Sequence, residues 1–310
     1  MNTVIVPLDG SDLSARALGL GEVFAQAMGA RLALVHVLEE PIVFDLVPSL
    51  LIPDRMAAEA YLRRVATEVT SGAEVSTYVV RGNPVDALIA LTRDEPESML
   101  VMTTHGRSGL GRLMLGSVAD KVVRESAVPV ALVRGSGAPR RRSLHSLLVP
   151  LDGSMFSEEA LPFAVDLARR CDASLGLVNI CDPFWVSPHL TVVPEQADGR
   201  EGRLADVDRQ ALASGRSYLE RVAEGIRSQG ISVRWEVRFG KPADEIVRAA
   251  ETTEADLIVM TTHGRGGVRR LAFGSVANEV LHRGTIPILM LPPRVSERGR
   301  HEAEQILSSV

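Results

Sequence analysis

Cysteine is nearly absent: Cys171 and Cys181 are the only two in 310 residues. Their number and spacing fit neither a disulfide framework nor a zinc site, which suits a reducing cytoplasm. Long apolar runs are missing as well. No stretch approaches the ~18–20 consecutive apolar residues of a membrane span, and no basic N-terminal segment leads into an apolar one. A cytoplasmic location without membrane contact is expected. Charge excess is also lacking, since a net charge of −5 offers no surface built for polyanions, and no nucleic-acid partner is expected. At 45% hydrophobic and 24% charged residues the chain is globular, not disordered. Several reaction signatures are missing too. There is no GxxxxGK[ST], no SGGxDS, no HIGH and no metal-ligand cluster, so no catalytic or metal-binding residue is assigned.

What is present is written twice. VMTTHGRSGLGRLMLGSVADKVV (101–123) returns as VMTTHGRGGVRRLAFGSVANEVL (259–281). VIVPLDGS (4–11) returns as LLVPLDGS (147–154), and RGNPVDALI (81–89) as FGKPADEIV (239–247), in the same order. A repeat of this length implies two whole domains of one fold. The boundaries expected are 1–135 and 145–294, with 136–144 as a polar, arginine-bearing linker and 295–310 as a polar tail.

Within the first copy, short apolar runs at 3–8, 32–37, 74–80, 98–104 and 129–133 read as strands, and amphipathic segments at 13–28, 54–71, 84–93 and 117–126 as helices. Near-continuous apolar strands alternating with helices describe an α/β fold. Two tandem doubly wound parallel five-stranded sheets with helices on both faces are expected, Rossmann-like in arrangement. The second copy inserts roughly fifteen residues between its second strand and second helix, at 182–202. Phe184 and Trp185 there read as residues packing between the domains or, second, as a cover over a ligand pocket. The fifth strands, 128–134 and 286–291, are apolar and need a partner if they lie at sheet edges.

In open α/β sheets ligands sit beyond the carboxyl ends of the strands. Two features of each copy converge there: the aspartate after strand one (Asp9, Asp152) and the glycine-bearing loop after strand four. Gly106 and Gly264 let the backbone leave the strand tightly. Gly116-Ser117 and Gly274-Ser275 open the next helix, where unpaired amides and the positive dipole end attract phosphate. Arg107 and Arg265 carry guanidinium forks suited to phosphate, or are solvent-facing loop residues. Asp9 and Asp152 also read as turn caps, a role compatible with ligand contact. His105 and His263 lie without a neighbouring nucleophile motif, so neither is read as a general base.

VPLDGS, GxPxD and THGRxG…GSVA, in order and twice, resemble the universal stress protein family in a tandem two-domain form. The resemblance covers essentially 1–135 and 145–294, and implies the adenine nucleotide alpha hydrolase-like variant of the fold. Nucleotide-binding members carry Gly-x2-Gly-x9-Gly-Ser/Thr after strand four. Gly106 and Gly116, and Gly264 and Gly274, match its second and third glycines; Thr103 and Thr261 stand in place of the first. A threonine there either narrows the approach to the ligand or offers a replacement hydroxyl.

By position, the resemblance implies one ATP per domain, with Mg2+ or Mn2+ held through the phosphates. Asp9 and Asp152 would contact the ribose region, Pro7-Leu8 and Pro150-Leu151 the adenine side, and Val37 and Ile180 the adenine through backbone groups. The amides of Gly106, Gly116, Ser117 and Val118, and of Gly264, Gly274, Ser275 and Val276, would hold the phosphates. The function implied is stress-response regulation, nucleotide occupancy biasing domain or partner association. A slow ATPase and a nucleotide-free dimerising scaffold stay open beside it. Intramolecular pairing of the two domains and a homodimer are the further expectations.

Overall fold

The computed structural model describes residues 1–39, 52–104, 115–134, 143–182, 200–262 and 274–292. They fall into two compact units, Met1–Leu144 with Thr285–Pro292, and His145–Gly284 with Pro293–Val310.

In the first unit β1 (Thr3–Pro7), β2 (Arg31–Leu38), β3 (Val75–Arg81), β4 (Ser98–Thr103) and β5 (Val130–Val133) form the parallel order β3-β2-β1-β4-β5. β1 is buried along four of its five residues and β4 along all six, as strands covered on both faces must be. β3, at the edge, is only half-buried or exposed. The chain runs from β1 outward to β3 and then back to β4, so the order reverses at β1. That leaves a crevice at the carboxyl ends of β1 and β4.

The helices alternate with these strands. The amphipathic stretch expected over 13–28 is divided into α1 (Asp12–Ala15) and α2 (Ala17–Met28). The Ser14 hydroxyl donates to the Ser11 carbonyl at 2.9 Å and the Arg16 amide donates to Leu13 O at 3.2 Å, tightening the chain where the two helices meet. α3 (Ile52–Glu68) stops before residue 71, because the Glu22 carboxylate accepts from the amides of Thr70 and Ser71 at 2.7 and 2.8 Å. The GxPxD repeat is a helix-start device. Gly82 takes φ +130°, Asn83 Oδ1 caps Val85 N at 2.9 Å, and Pro84 opens α4 (Pro84–Asp94). α5 (Ser117–Glu125) packs on α4 and β5.

The second unit repeats this. β6 (Ser146–Pro150), β7 (Ser174–Cys181), β8 (Val233–Phe239) and β9 (Leu257–Thr261) run parallel in the order β9-β6-β7-β8. Its helices are α6 (Met155–Glu158), α7 (Leu161–Cys171), α8 (Arg200–Arg227), α9 (Pro242–Thr252) and α10 (Ser275–Arg283). α8 has 28 residues against 17 in α3, so part of the extra length near 182–202 is helix. Phe184 and Trp185 lie outside the described residues.

The fifth strand of the second copy, β10 (Ile288–Leu291), belongs with the first unit. It runs antiparallel to β5 with Ile288, Leu289 and Met290 opposite Leu132, Ala131 and Val130. Every residue of both strands is buried. An apolar edge of this kind must be paired, and β10 is the partner β5 finds.

Leu289 is fully buried. Leu289→Ala is expected to cost about 2–5 kcal/mol and to speed amide exchange at Val130–Leu132, which hydrogen exchange and urea unfolding would measure together.

Candidate functional site

The turn after β1 is built by one carboxylate. Asp9 Oδ1 accepts from the Ser11 amide at 2.9 Å and from the Ser11 hydroxyl at 2.6 Å. The same Ser11 hydroxyl accepts from Ser14 N at 3.1 Å as the N-cap of α1, and Ser14 Oγ accepts from Asp9 N at 3.2 Å. Gly10 sits between them at φ +88°, a conformation that glycine adopts without strain. The second copy reproduces each contact: Asp152 Oδ1 with Ser154 N at 2.9 Å and Ser154 Oγ at 2.6 Å, and Ser157 Oγ with Asp152 N at 3.2 Å. Asp9 and Asp152 are therefore turn residues, half-buried and placed at the carboxyl ends of β1 and β6.

The adenine-side residues divide into two kinds. Leu8 and Leu151 are each 2% exposed, so their side chains belong to the core. Their amides extend the ladder one step past the strand, to Val35 O and Val178 O, both at 2.8 Å. Pro7 and Pro150 end β1 and β6. In a parallel strand successive residues send their backbone groups to opposite neighbours. Leu38 O takes the Gly82 amide on the β3 side, and Val35 O faces β1, so the N–H and C=O of Val37 point past the end of β1. By the same alternation Ile180 points past the end of β6, since Cys181 O takes Gly240 N and Val178 O takes Leu151 N. Val37 and Ile180 are half-buried.

At the phosphate side, Thr103 and Thr261 are the last residues of β4 and β9, 7% and 5% exposed, so the fold accommodates both side chains. The Gly116 amide donates to Thr104 O at 2.7 Å and the Gly274 amide to Thr262 O at 2.8 Å. Those two amides close the strand-to-helix corner. The first-turn amides beyond them belong to Ser117 and Val118, and to Ser275 and Val276. Neither Gly116 nor Gly274, the N-caps of α5 and α10, supplies a side-chain cap. Gly106, Arg107, Gly264 and Arg265, with His105 and His263, lie outside the described residues. Among the described residues no group of three or more His, Cys, Asp and Glu side chains is gathered as a metal would require. No described helix is long and apolar enough to cross a membrane.

Several contributors escaped the sequence reading. Tyr61, on α3, lies beside Ser14 and Asp9, and burial raises its pKa above the ordinary phenol value. Its ring meets His36 edge-on at 6.1 Å and carries the Arg64 guanidinium at 5.5 Å. Tyr218, on α8, holds the same place in the second copy, and its hydroxyl donates to Glu158 Oε1 at 2.8 Å. The readable signal was the repeat YLRRVA (61–66) and YLERVA (218–223). Glu158 stands where the first copy has Ala15. Burial raises the Glu158 pKa; the Tyr218 hydrogen bond opposes this, the Asp152 charge adds to it and Arg221 opposes. Arg134, just past β5, is half-buried, and burial lowers its pKa.

The model of the universal stress protein family matches residues 1–134 and again 144–292. A universal stress protein of Mycobacterium tuberculosis is 27% identical over 303 residues, which covers 93% of this chain and 96% of the relative. One from Methanocaldococcus jannaschii is 32% identical over 145 residues, 47% of this chain and 80% of its own length. The crystal structure of a universal stress protein from Archaeoglobus fulgidus superposes with a TM-score of 0.71 at 20% identity, covering 96% of this chain and 98% of that one, a likeness of fold.

Ser11→Ala and Ser154→Ala each remove a helix cap and are expected to cost about 1 kcal/mol in urea unfolding. Because the Glu158 pKa is raised in the folded protein, its contribution to stability is present below the ordinary carboxylate value and is lost as pH rises through the folded one. Glu158→Gln is therefore expected to be more stable than the unaltered chain at neutral pH, the advantage shrinking as the pH falls toward that ordinary value. Urea titrations of both proteins across that range would check the sign.

Proposed function

The chain belongs to the universal stress protein family, as two copies in tandem, and on that premise we propose that each copy binds ATP and that occupancy biases association between domains or with a partner. The observation that carries the reading is that, in both copies, three candidate binding elements lie at the carboxyl ends of neighbouring strands. The Asp turn offers a carboxylate oxygen environment to a ribose. Val37 and Ile180 present one backbone donor and one acceptor past β1 and β6, the pattern an adenine edge requires. The unsealed first turns of α5 and α10 present the amides of Ser117, Val118, Ser275 and Val276 to phosphate. Gly106, Arg107, Gly264 and Arg265 would complete the phosphate end, and Thr103 and Thr261 its floor. Mg2+ or Mn2+ would enter with the phosphates, neutralising their charge.

The role is that of a stress-adaptation regulator, cytoplasmic, whose states differ in nucleotide affinity; binding alone shifts no equilibrium. The seating of β10 beside β5 supports intramolecular pairing of the copies, and a homodimer through another surface is the proposed assembly. A second reading, a nucleotide-free scaffold, is favoured by Thr103 and Thr261 in place of the motif glycine. Hydrolysis, if present, is expected to be slow.

Purified protein denatured and analysed by chromatography and mass is expected to release ATP or ADP at about two per chain. Asp9→Ala and Asp152→Ala are each expected to remove one. Release of no nucleotide, together with no binding on titration with ATP, would transfer the assignment to the scaffold.

A further inference from the structure

The two copies carry different charges around the same turn. Ala15 of the first is replaced by Glu158 in the second, six residues past Asp152 on the helix that the turn caps. The Glu158 side chain is fixed by the 2.8 Å hydrogen bond from Tyr218. It interacts electrostatically with Asp152, so two carboxylates act on one another at this turn; the first copy has Asp9 and, on the first turn of α1, the exposed Asp12, whose counterpart is Met155. The other groups facing Glu158 are Tyr218 and Arg221, both on α8; Thr261 and Thr262, at the end of the neighbouring β9, carry no charge.

Three other exchanges bear on the balance, the nearest being Arg16 of the first copy against Glu159 of the second, which makes the second turn more negative still. The first copy places Arg134 at the carboxyl end of β5, where the second has Pro292. Asp120, in the first turn of α5, works the other way, Asn278 being its counterpart, but Arg124 lies 2.9 Å from its carboxylate and offsets the charge.

We propose that the two nucleotide sites are unequal and that Glu158 sets the difference: its carboxylate, anchored by Tyr218 beside Asp152, repels an anionic ligand from the second site. That site fills after the first, and fills more readily as pH falls and Glu158 takes up a proton. The inference rests on the nucleotide reading above. Glu158 acts through charge and needs no contact with the ligand. Binding of the nucleotide in turn favours the protonated carboxyl, so occupancy of the second site is coupled to proton uptake.

The test isolates each site by its turn aspartate and varies only the charge at 158. ATP with Mg2+ is titrated calorimetrically into Asp9→Ala and into Asp9→Ala/Glu158→Gln at a series of pH values from neutral down toward the ordinary carboxylate range. The glutamine keeps an oxygen to accept from Tyr218. At the upper end it is expected to tighten second-site binding roughly threefold to tenfold, the effect of one charge at partial exposure, and the gap is expected to close at the lower end. The same substitution in Asp152→Ala, which retains the first site, is expected to change nothing.

Equal affinities of the Asp9→Ala pair at the upper pH would overturn the inference while leaving the nucleotide reading intact. So would a gap independent of pH, which marks packing and not charge. Should Asp9→Ala unfold, the single variant Glu158→Gln decides instead. Its two affinities for ATP are expected to converge, and unchanged separation overturns the inference. Failure of the unaltered protein to bind ATP at all overturns the nucleotide reading, and this proposal with it.

Discussion

One carboxylate oxygen in each copy fixes how the first strand becomes the first helix. Asp9 Oδ1 holds both the amide and the hydroxyl of Ser11, and Asp152 Oδ1 does the same for Ser154. The serine hydroxyl serves both ends at once, donating its hydrogen to the aspartate and accepting from Ser14 N or Ser157 N on an oxygen lone pair. The turn is thus a closed circuit of donors and acceptors. It anchors α1 and α6 at the strand ends, and with them the edge of the crevice at which the sheet order reverses. A residue whose place after the first strand suggests a ligand contact has a structural role of its own in both copies.

The opposite wall shows a similar economy. Gly116 and Gly274 do not leave their amides to a ligand; each donates to the carbonyl of the residue after the strand. The helix start is held against the strand end by that bond. Where the motif's first glycine is replaced, Thr103 and Thr261 are buried at the ends of β4 and β9.

The pairing of β10 with β5 has no counterpart in a single copy of the repeat. β5 is short, apolar and buried, and a lone first copy would end its sheet on that strand. A second copy in the same chain supplies the missing partner. Within the first unit β10 covers that edge. The copies differ near the crevice, Glu158 standing for Ala15 and Asn179 for His36. Asn179 donates to Leu151 O at 2.8 Å, while His36 meets Tyr61.

The sequence by itself determined the duplication, the alternation of strands and helices, the parallel α/β class and the position of the Asp turn. Repeats, apolar periodicity and the Asp-Gly-Ser and Gly-x-Pro signals are local in the chain, and local pattern sets local structure. The break at Arg16, the early end of α3 and the lengthening of α8 were not legible. The first rests on local bonds three residues apart without a glycine or proline to mark them, the second on Glu22 reaching across from another helix, and the third on a stretch without a counterpart in the first copy. Only the tertiary structure decided that Leu8 and Leu151 turn inward, that the Gly116 and Gly274 amides are already used, and that Tyr218 reaches Glu158 across 60 residues of chain. Those outcomes depend on which backbone and side-chain groups meet after the sheet has assembled, and contacts at that separation leave no periodic trace in the sequence.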